Sequence, residues 1–219
     1  MEETPGRKPT MGNNELLRQL LIEEEGTCLE AYKDSEDIWT IAIGHNLEVD
    51  QSPEELAILG LDDELDDWDG FNITEEQAFK LFDLDVEEAI NDLYPAFTDA
   101  ELSKLNDTRY AVIVSMVFQM GGAGVRKFKN FVKAVKTEDW DTAALEMIYA
   151  NPKVKRYSKW YLQTPERCRR AADAMKTGSF DAHPAESPAE DTHETPSEAF
   201  SAYSSMELLE ELIRRENDA

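Results

Sequence analysis

The sequence predicts an α+β fold: a small hairpin region set among helices, followed by an all-helical second half. Three observations carry this reading. A helical run ending at Glu25 is followed by two short β-type runs, 29–33 and 38–43, joined by an acidic turn at 34–37. A capping box at Thr74 opens a long amphipathic helix. Beyond Pro95 the pattern is helical throughout.

The elements follow in order. Residues 1–13 are polar, carry Pro5, Pro9 and Gly12, and are expected to form a flexible lead-in. Asn13 or Asn14 is placed to cap a helix over 15–25, with Leu16, Leu17, Leu20, Leu21 and Ile22 as its apolar face and Gly26 as its stop. In the hairpin that follows, Trp39 reads as core or wall. Ser52-Pro53-Glu54-Glu55 combines an N-cap, a first-turn proline and a capping-box glutamate, starting a short helix to about residue 59. Residues 60–72 are acidic around Trp68 and Phe71. Their aspartate spacing lacks the full calcium-loop pattern, so a solvated acidic loop is expected. From Thr74 to about residue 94, Ala78, Leu81, Phe82, Val86, Ala89, Ile90 and Leu93 recur at helical spacing. A helix of about 20 residues spans about 30 Å, enough to separate two lobes. Further helices are expected near 99–105, 108–120, 124–136, 138–150, 153–161 and 165–176. The stretch 110–120 is apolar nearly all round, as in a buried central helix. Thr164-Pro165 opens the last of them and Gly178 stops it. Residues 183–203 are mostly Pro, Ala, Glu, Ser and Thr and cannot build a packed core. Met206, Leu209, Leu212 and Ile213 then mark a short amphipathic helix closing an acidic tail at 183–219.

Charge is unevenly spread. The 219 residues carry 47 acidic and 22 basic groups, a formal net charge of −25. Segment 46–103 has 19 acidic residues and one basic, whereas 104–180 has 15 basic and 7 acidic. Nucleic acid is therefore not an expected partner for most of the surface, and only 104–180 could face a polyanion. No run approaches the 18 apolar residues of a membrane-spanning helix, and the N-terminal stretch lacks a secretory apolar core. A cytoplasmic start is expected, with no stable membrane insertion. Cys28 and Cys168 have no metal-ligand spacing; two reduced thiols are favoured, with a bridge left open. His183 and His193 sit in the polar tail and read as inert.

Glu25, Asp34 and Thr40 are the candidate chemistry. One carboxyl can protonate a leaving oxygen, a second can help water attack, and a hydroxyl can hold that water, as inverting glycoside hydrolysis requires. Spacing alone cannot carry this, because Glu-x8-Asp-x5-Thr arises by chance in so acidic a chain. The surrounding letters add to it. Tyr32-Lys33-Asp34, Thr40-Ile41-x-Ile43-Gly44-His45, Met116-Val117-Phe118-Gln119-Met120-Gly121 and Trp160-Tyr161-x-Gln163-Thr164-Pro165-x-Arg167 stand in one order. Over about 14–182 the chain resembles the phage-type lysozymes, glycoside hydrolase family 24.

The resemblance implies a lysozyme-like two-lobe fold: a small lobe at about 26–73, a connecting helix at about 74–94 and a helical lobe at about 95–182. It implies Glu25 as general acid, Asp34 as the group assisting water and Thr40 as its positioner. The bond would be the β-1,4 link between N-acetylmuramic acid and N-acetylglucosamine in peptidoglycan, cut with inversion. Arg167 aligns with an arginine that pairs with the catalytic glutamate. Such a pairing favours the charged carboxylate while an acid must keep its proton, so burial by substrate and the Asp34 charge must oppose it. Phe118 matches a substrate contact. Asn46, Phe131 and Glu146 occupy other contact positions but depart from the usual residue types there. His45 aligns with a structural histidine paired to an aspartate on the long helix, here Asp85, and not with a metal ligand. An extra stretch around 147–154 lengthens the chain near Trp160. No cofactor or metal is implied. The expected setting is a monomer made in a bacterial host's cytoplasm, released with a holin's help and acting on the wall in the periplasm. Two other classes stand beside this: a non-catalytic wall-binding or virion protein with the same fold, and an interaction protein whose acidic segments mimic a polyanion.

Overall fold

The computed structural model describes residues 15–34, 37–63, 65 and 67–180; the lead-in, the Asn13/Asn14 cap and the acidic tail with its expected helix lie outside the described residues. Helix α1 (Glu15–Glu25) buries Leu17, Leu20 and Leu21, the i, i+3, i+4 stripe of its sequence, and ends where Gly26 takes φ 74°. Strands β1 (Cys28–Lys33) and β2 (Trp39–Ala42) form the expected antiparallel hairpin, pairing Tyr32 with Thr40 and Lys33 with Trp39. A short third strand, β3 (His45–Asn46), is added to β2, pairing Thr40 with Asn46 and Ile41 with His45. Two residues make too short a run for alternation to register in sequence.

Helix α2 (Pro53–Leu59) and the long helix α3 (Glu75–Asn91) both start with complete capping boxes, at Ser52–Glu55 and Thr74–Gln77. Between them the acidic loop is tied down by buried Trp68, whose ring meets Phe71 edge-on at 5.2 Å. Backbone bonds from Ala31 to Phe71 and from Ile73 to Leu29 stitch the loop to β1. Its described acidic residues stay exposed.

The helical half comprises α4 (Asp99–Leu102), α5 (Asp107–Lys127), α6 (Lys129–Lys136), α7 (Trp140–Ile148), α8 (Lys159–Gln163) and α9 (Pro165–Thr177). Helix α5 is the buried centre, with every side chain from Tyr110 to Val117 inaccessible. It breaks at Gly121 (φ 69°), and Gly122 packs so tightly that an added Cβ would lie 2.6 Å from the Asp92 carbonyl. The expected helix over 153–161 is corrected. Strands β4 (Tyr149–Asn151) and β5 (Arg156–Tyr157) form a second hairpin around a 3₁₀ turn at Pro152–Val154, and only from Lys159 does a helix begin. Pro152 restricts the preceding residue to extended backbone, and stacking of Tyr149 on Tyr157 closes the ribbon.

Two apolar cores result. The smaller gathers Ala31, Ile41, Ala42, Leu47, Leu59, Trp68 and Ile73 under the sheet. The larger holds α1 and the helical half together. Helix α3 serves both, giving Ala78 and Leu81 to the first and Phe82, Val86 and Ala89 to the second. It is thereby the shared strut between the sheet region and the helices.

Candidate active site

Glu25 is the last residue of α1, and its position follows from the glycine after it. The carboxylate receives a bond from Arg167 of α9 at 2.7 Å, 142 residues away in sequence. Gly44, at φ 78° in the turn between β2 and β3, comes so close that a Cβ there would lie 3.5 Å from Glu25 Oε2 and 3.6 Å from the Phe118 ring. One turn thus brings the sheet, Glu25 and Phe118 to a single point. Glycine suits it by its left-handed backbone.

Asp34 heads the turn after β1. Its Oδ1 accepts from the Ile38 N–H at 3.0 Å and its own N–H bonds the Ile38 carbonyl at 2.9 Å, so the side chain closes the turn that presents it. Thr40, 6% exposed on β2, donates to the Ile38 carbonyl at 3.2 Å. Tyr32 stands opposite Thr40; burial raises its pKa first, and the charges of Cys28, Glu25 and Asp34 raise it further.

A pocket of about 260 Å³ opens beside this point, lined by Gly44, His45, Asn46, Asp85, Val117 and Phe118, with Glu55, Glu88 and Asp92 among its acidic wall. Burial and the neighbouring charges of Asp85, Asp92 and Glu55 hold Glu88 above the ordinary carboxylate range. Of the expected substrate contacts, Phe118 and Asn46 line this pocket. Phe131 does not: it is fully buried in the large core, where positions 131, 134 and 135 form the inner face of α6. That expectation is corrected, because a side chain without exposed surface has none to offer a ligand. Glu146 is half-buried on α7 and accepts from Asn130 at 3.2 Å, away from the pocket lining.

His45 and Asp85 are joined as expected, at 2.9 and 3.0 Å from Nδ1 to the two carboxylate oxygens. Gln51, which local pattern did not reveal, completes the arrangement. Its amide nitrogen donates to the Asn46 and Val49 carbonyls at 3.1 and 2.8 Å, which turns its Oε1 onto His45 Nε2 at 2.9 Å. Both ring nitrogens then face acceptors, which calls for the doubly protonated imidazolium. Burial alone would lower the pKa; the Asp85 hydrogen bond and charge, with help from Gln51 and Glu55, outweigh it and raise it above 6.5. Among the described residues, His45, Glu55 and Asp85 could bring ligand atoms within 4.8 Å of one another. The imidazole's capacity is spent on Asp85 and Gln51, so the cluster reads as a structural joint between β3 and α3.

Glu24 and Ser115 also belong to the site and were not among the sequence candidates. Arg167 spans both neighbouring carboxylates, reaching Glu24 at 2.9 Å as well as Glu25. The Ser115 hydroxyl donates to Glu24 at 2.7 Å and accepts from Arg167 at 3.2 Å. The Glu24 side chain is 7% exposed against 21% for Glu25. Burial pushes the Glu24 carboxyl above its ordinary range against the opposing pull of Arg167 and Ser115. Arg167 keeps one buried atom, Nε, without a hydrogen bond. A polar residue in the otherwise apolar run of α5 was the available signal for Ser115.

The thiols are free. Cys28 Sγ bonds the Glu30 carbonyl at 3.1 Å, and burial pushes the Cys168 thiol up to about 12. Such a thiol is protonated and inert at neutral pH.

The fold and site define a protein with a small sheet, a strut helix and a helical body, which presents a pinned carboxyl beside Gly44, a residue of the pocket lining. The chain belongs to the phage lysozyme family, whose profile matches residues 22–159. It is 32% identical over 171 residues to the protein named "Probable T4-type lysozyme 2" of Dictyostelium discoideum, covering 75% of this chain and 95% of that one. A pre-baseplate central spike protein, Gp5, of Enterobacteria phage T4 is 30% identical over 183 residues, 80% of this chain and 30% of the spike protein. Peptidoglycan hydrolase gp36 of Pseudomonas phage phiKMV is 31% identical over 150 residues, 68% of this chain and 14% of the hydrolase. Among the described residues no helix is long and apolar enough to cross a membrane.

Proposed function

We propose that this protein is a muramidase, hydrolysing the β-1,4 bond between N-acetylmuramic acid and N-acetylglucosamine in peptidoglycan. Glu25, held by Arg167 and bordered by Gly44 of the pocket lining, carries the reading. Its proton goes to the leaving glycosidic oxygen. Asp34 polarises a water for attack on the opposite sugar face, and the Thr40 hydroxyl orients that water, giving inversion at the anomeric carbon. A bound saccharide displaces water from the Phe118 and Asn46 side of the pocket. Arg167, shared between Glu24 and Glu25, positions the acid while dividing its charge between two carboxylates. Family membership and relatives named lysozyme or peptidoglycan hydrolase support a hydrolase of this type. We place its action in the lysis of a bacterial host by a phage. In that setting a monomer made in the cytoplasm, and released with a holin's help, meets the wall in the periplasm.

The test is Glu25→Gln, which keeps shape and removes the proton source. Release of reducing ends from purified sacculi should fall by about 10²–10⁴-fold with an unchanged melting temperature. Near-parental cleavage would remove Glu25 from the mechanism. A parent that binds sacculi without cutting them would leave a wall-binding protein instead.

A further inference from the structure

The second hairpin, β4–β5, takes no part in the chemistry above, yet it is a purely basic stretch of an acidic molecule. Between Glu146 and Glu166 the chain carries Lys153, Lys155, Arg156 and Lys159 and no acidic residue, within a total of −25. All four are exposed.

The ribbon is held in place. Tyr149 stacks on Tyr157 at 5.2 Å and Tyr157 on Tyr161 at 4.4 Å, and the Arg169 guanidinium lies 5.1 Å over the Tyr161 ring. Ser158 clamps the hairpin's foot to α7, donating its hydroxyl to the Met147 carbonyl at 2.7 Å and its N–H to the Ile148 carbonyl at 2.8 Å. Asn151 accepts from the Lys153 N–H at 3.2 Å, and Lys155 turns the chain in left-handed backbone, φ 51°. Charges on a pre-formed ribbon lose less freedom on binding than charges on a loose loop. The ribbon is also rooted beside the pocket. The next residue pair, Trp160 with Gln119, is joined at 2.6 Å, and Gln119 directly follows Phe118.

We propose that this hairpin is an anion-binding ledge on the helical side of the site, taking the carboxylates of the peptides attached to the glycan strand being cut. The proposal rests on the peptidoglycan reading and assigns which part of that substrate the hairpin meets. The acidic segment of the chain favours this division. Segment 46–103, with 19 acidic residues against one basic, repels the same carboxylates, so an anionic strand is pushed towards the ledge. Two other polyanionic surfaces fit less well. A lipid surface calls for an apolar tip, and Val154, 70% exposed, is the lone aliphatic side chain between Asn151 and Tyr157. A single-stranded nucleic acid calls for open ring faces, but the Tyr157 ring already stacks with Tyr149 and Tyr161.

The test is the double variant Lys153→Glu/Arg156→Glu, read by co-sedimentation with purified sacculi at about 0.05 M salt in the Glu25→Gln background, so that binding is measured without cleavage. Binding should weaken about tenfold, because two exposed attractions become repulsions. The difference should shrink strongly at about 1 M salt, where the Debye length is about 3 Å. It should vanish on sacculi whose carboxylates have been converted to amides. With Glu25 restored, the variant should raise KM for sacculi and leave kcat near parental. The neutral pair Lys153→Gln/Arg156→Gln should fall between parent and reversal, and all variants should keep the parental melting temperature. Parental binding by the charge-reversed chain would overturn the proposal, as would an equal loss on amidated sacculi. Hairpin-dependent binding to vesicles of anionic phospholipid, with sacculus binding unchanged, would assign the surface to lipid and overturn it too. Failure of the parent to release reducing ends sinks the muramidase reading separately, since the binding arm never uses cleavage.

Discussion

The two hairpins of this protein are built by different forces. The first, β1–β2 with β3, is held by backbone: a three-stranded ladder, a turn closed by Asp34, and a buried His45 on its last strand. Like the second, it keeps non-glycine residues in left-handed backbone, here Asp37 and Ala42 at φ 63° and 58°, as Lys155 does there at 51°. The second, β4–β5, has only two register pairs and is held by tyrosine rings and one serine. Backbone of this kind persists where the surroundings over-determine the conformation. The first hairpin aims Asp34 and Thr40 and sets Gly44 against Glu25. The second has nothing to aim and spreads charge instead. The contrast teaches that small β-elements can differ in kind: one is a positioning device, the other a surface.

If that contrast holds, changes in the first hairpin should reach catalysis and stability far more than charge changes in the second. The largest effect should come from Asp34→Asn, which keeps a side-chain oxygen for the Ile38 N–H but removes the charge that assists water. Cleavage of sacculi should drop by about 10²-fold or more while the melting temperature moves by no more than a degree or two. A variant that cuts like the parent would reduce Asp34 to a turn residue and erase the difference between the hairpins.

Gly44→Ala should come next. A left-handed residue with a Cβ costs about 1–2 kcal/mol, and the new methyl would sit in ordinary contact with Glu25 and Phe118. A fall in melting temperature of a few degrees is expected, with some loss of cleavage. Unchanged thermal denaturation would show that the turn relaxes freely, against the over-determined backbone described here.

The smallest effect concerns pH. Because His45 has its pKa raised in the folded state, its contribution to stability is complete below the unfolded value of 6.5 and fades as pH rises through the raised folded value. His45→Asn should remove that slope, measured as unfolding free energy by urea titration across about pH 5 to 9. Parallel profiles for parent and variant would mean the joint between β3 and α3 carries no charge.

Much of this was legible in the sequence, and the legible part has a common physical character. Capping boxes at Ser52 and Thr74, the apolar stripe of α1 and the helix stop at Gly178 are settled within about four residues, so local letters specify them. Phe131 belongs to this class as well: its spacing with Ala134 and Val135 marks an inward face, and reading it as a ligand contact set a family position above that local period. Tertiary structure alone decided the rest. Glu24 and Glu25 are adjacent letters of one type, and only the packing of α1 against α5 and α9 buries the first with Ser115 and leaves the second at the pocket. Gln51 on His45, and Tyr157 between Tyr149 and Tyr161, likewise depend on which surfaces the fold brings together. A hydrogen bond across 91 or 142 residues leaves no periodic trace, because it exists only once the chain between its ends has been folded.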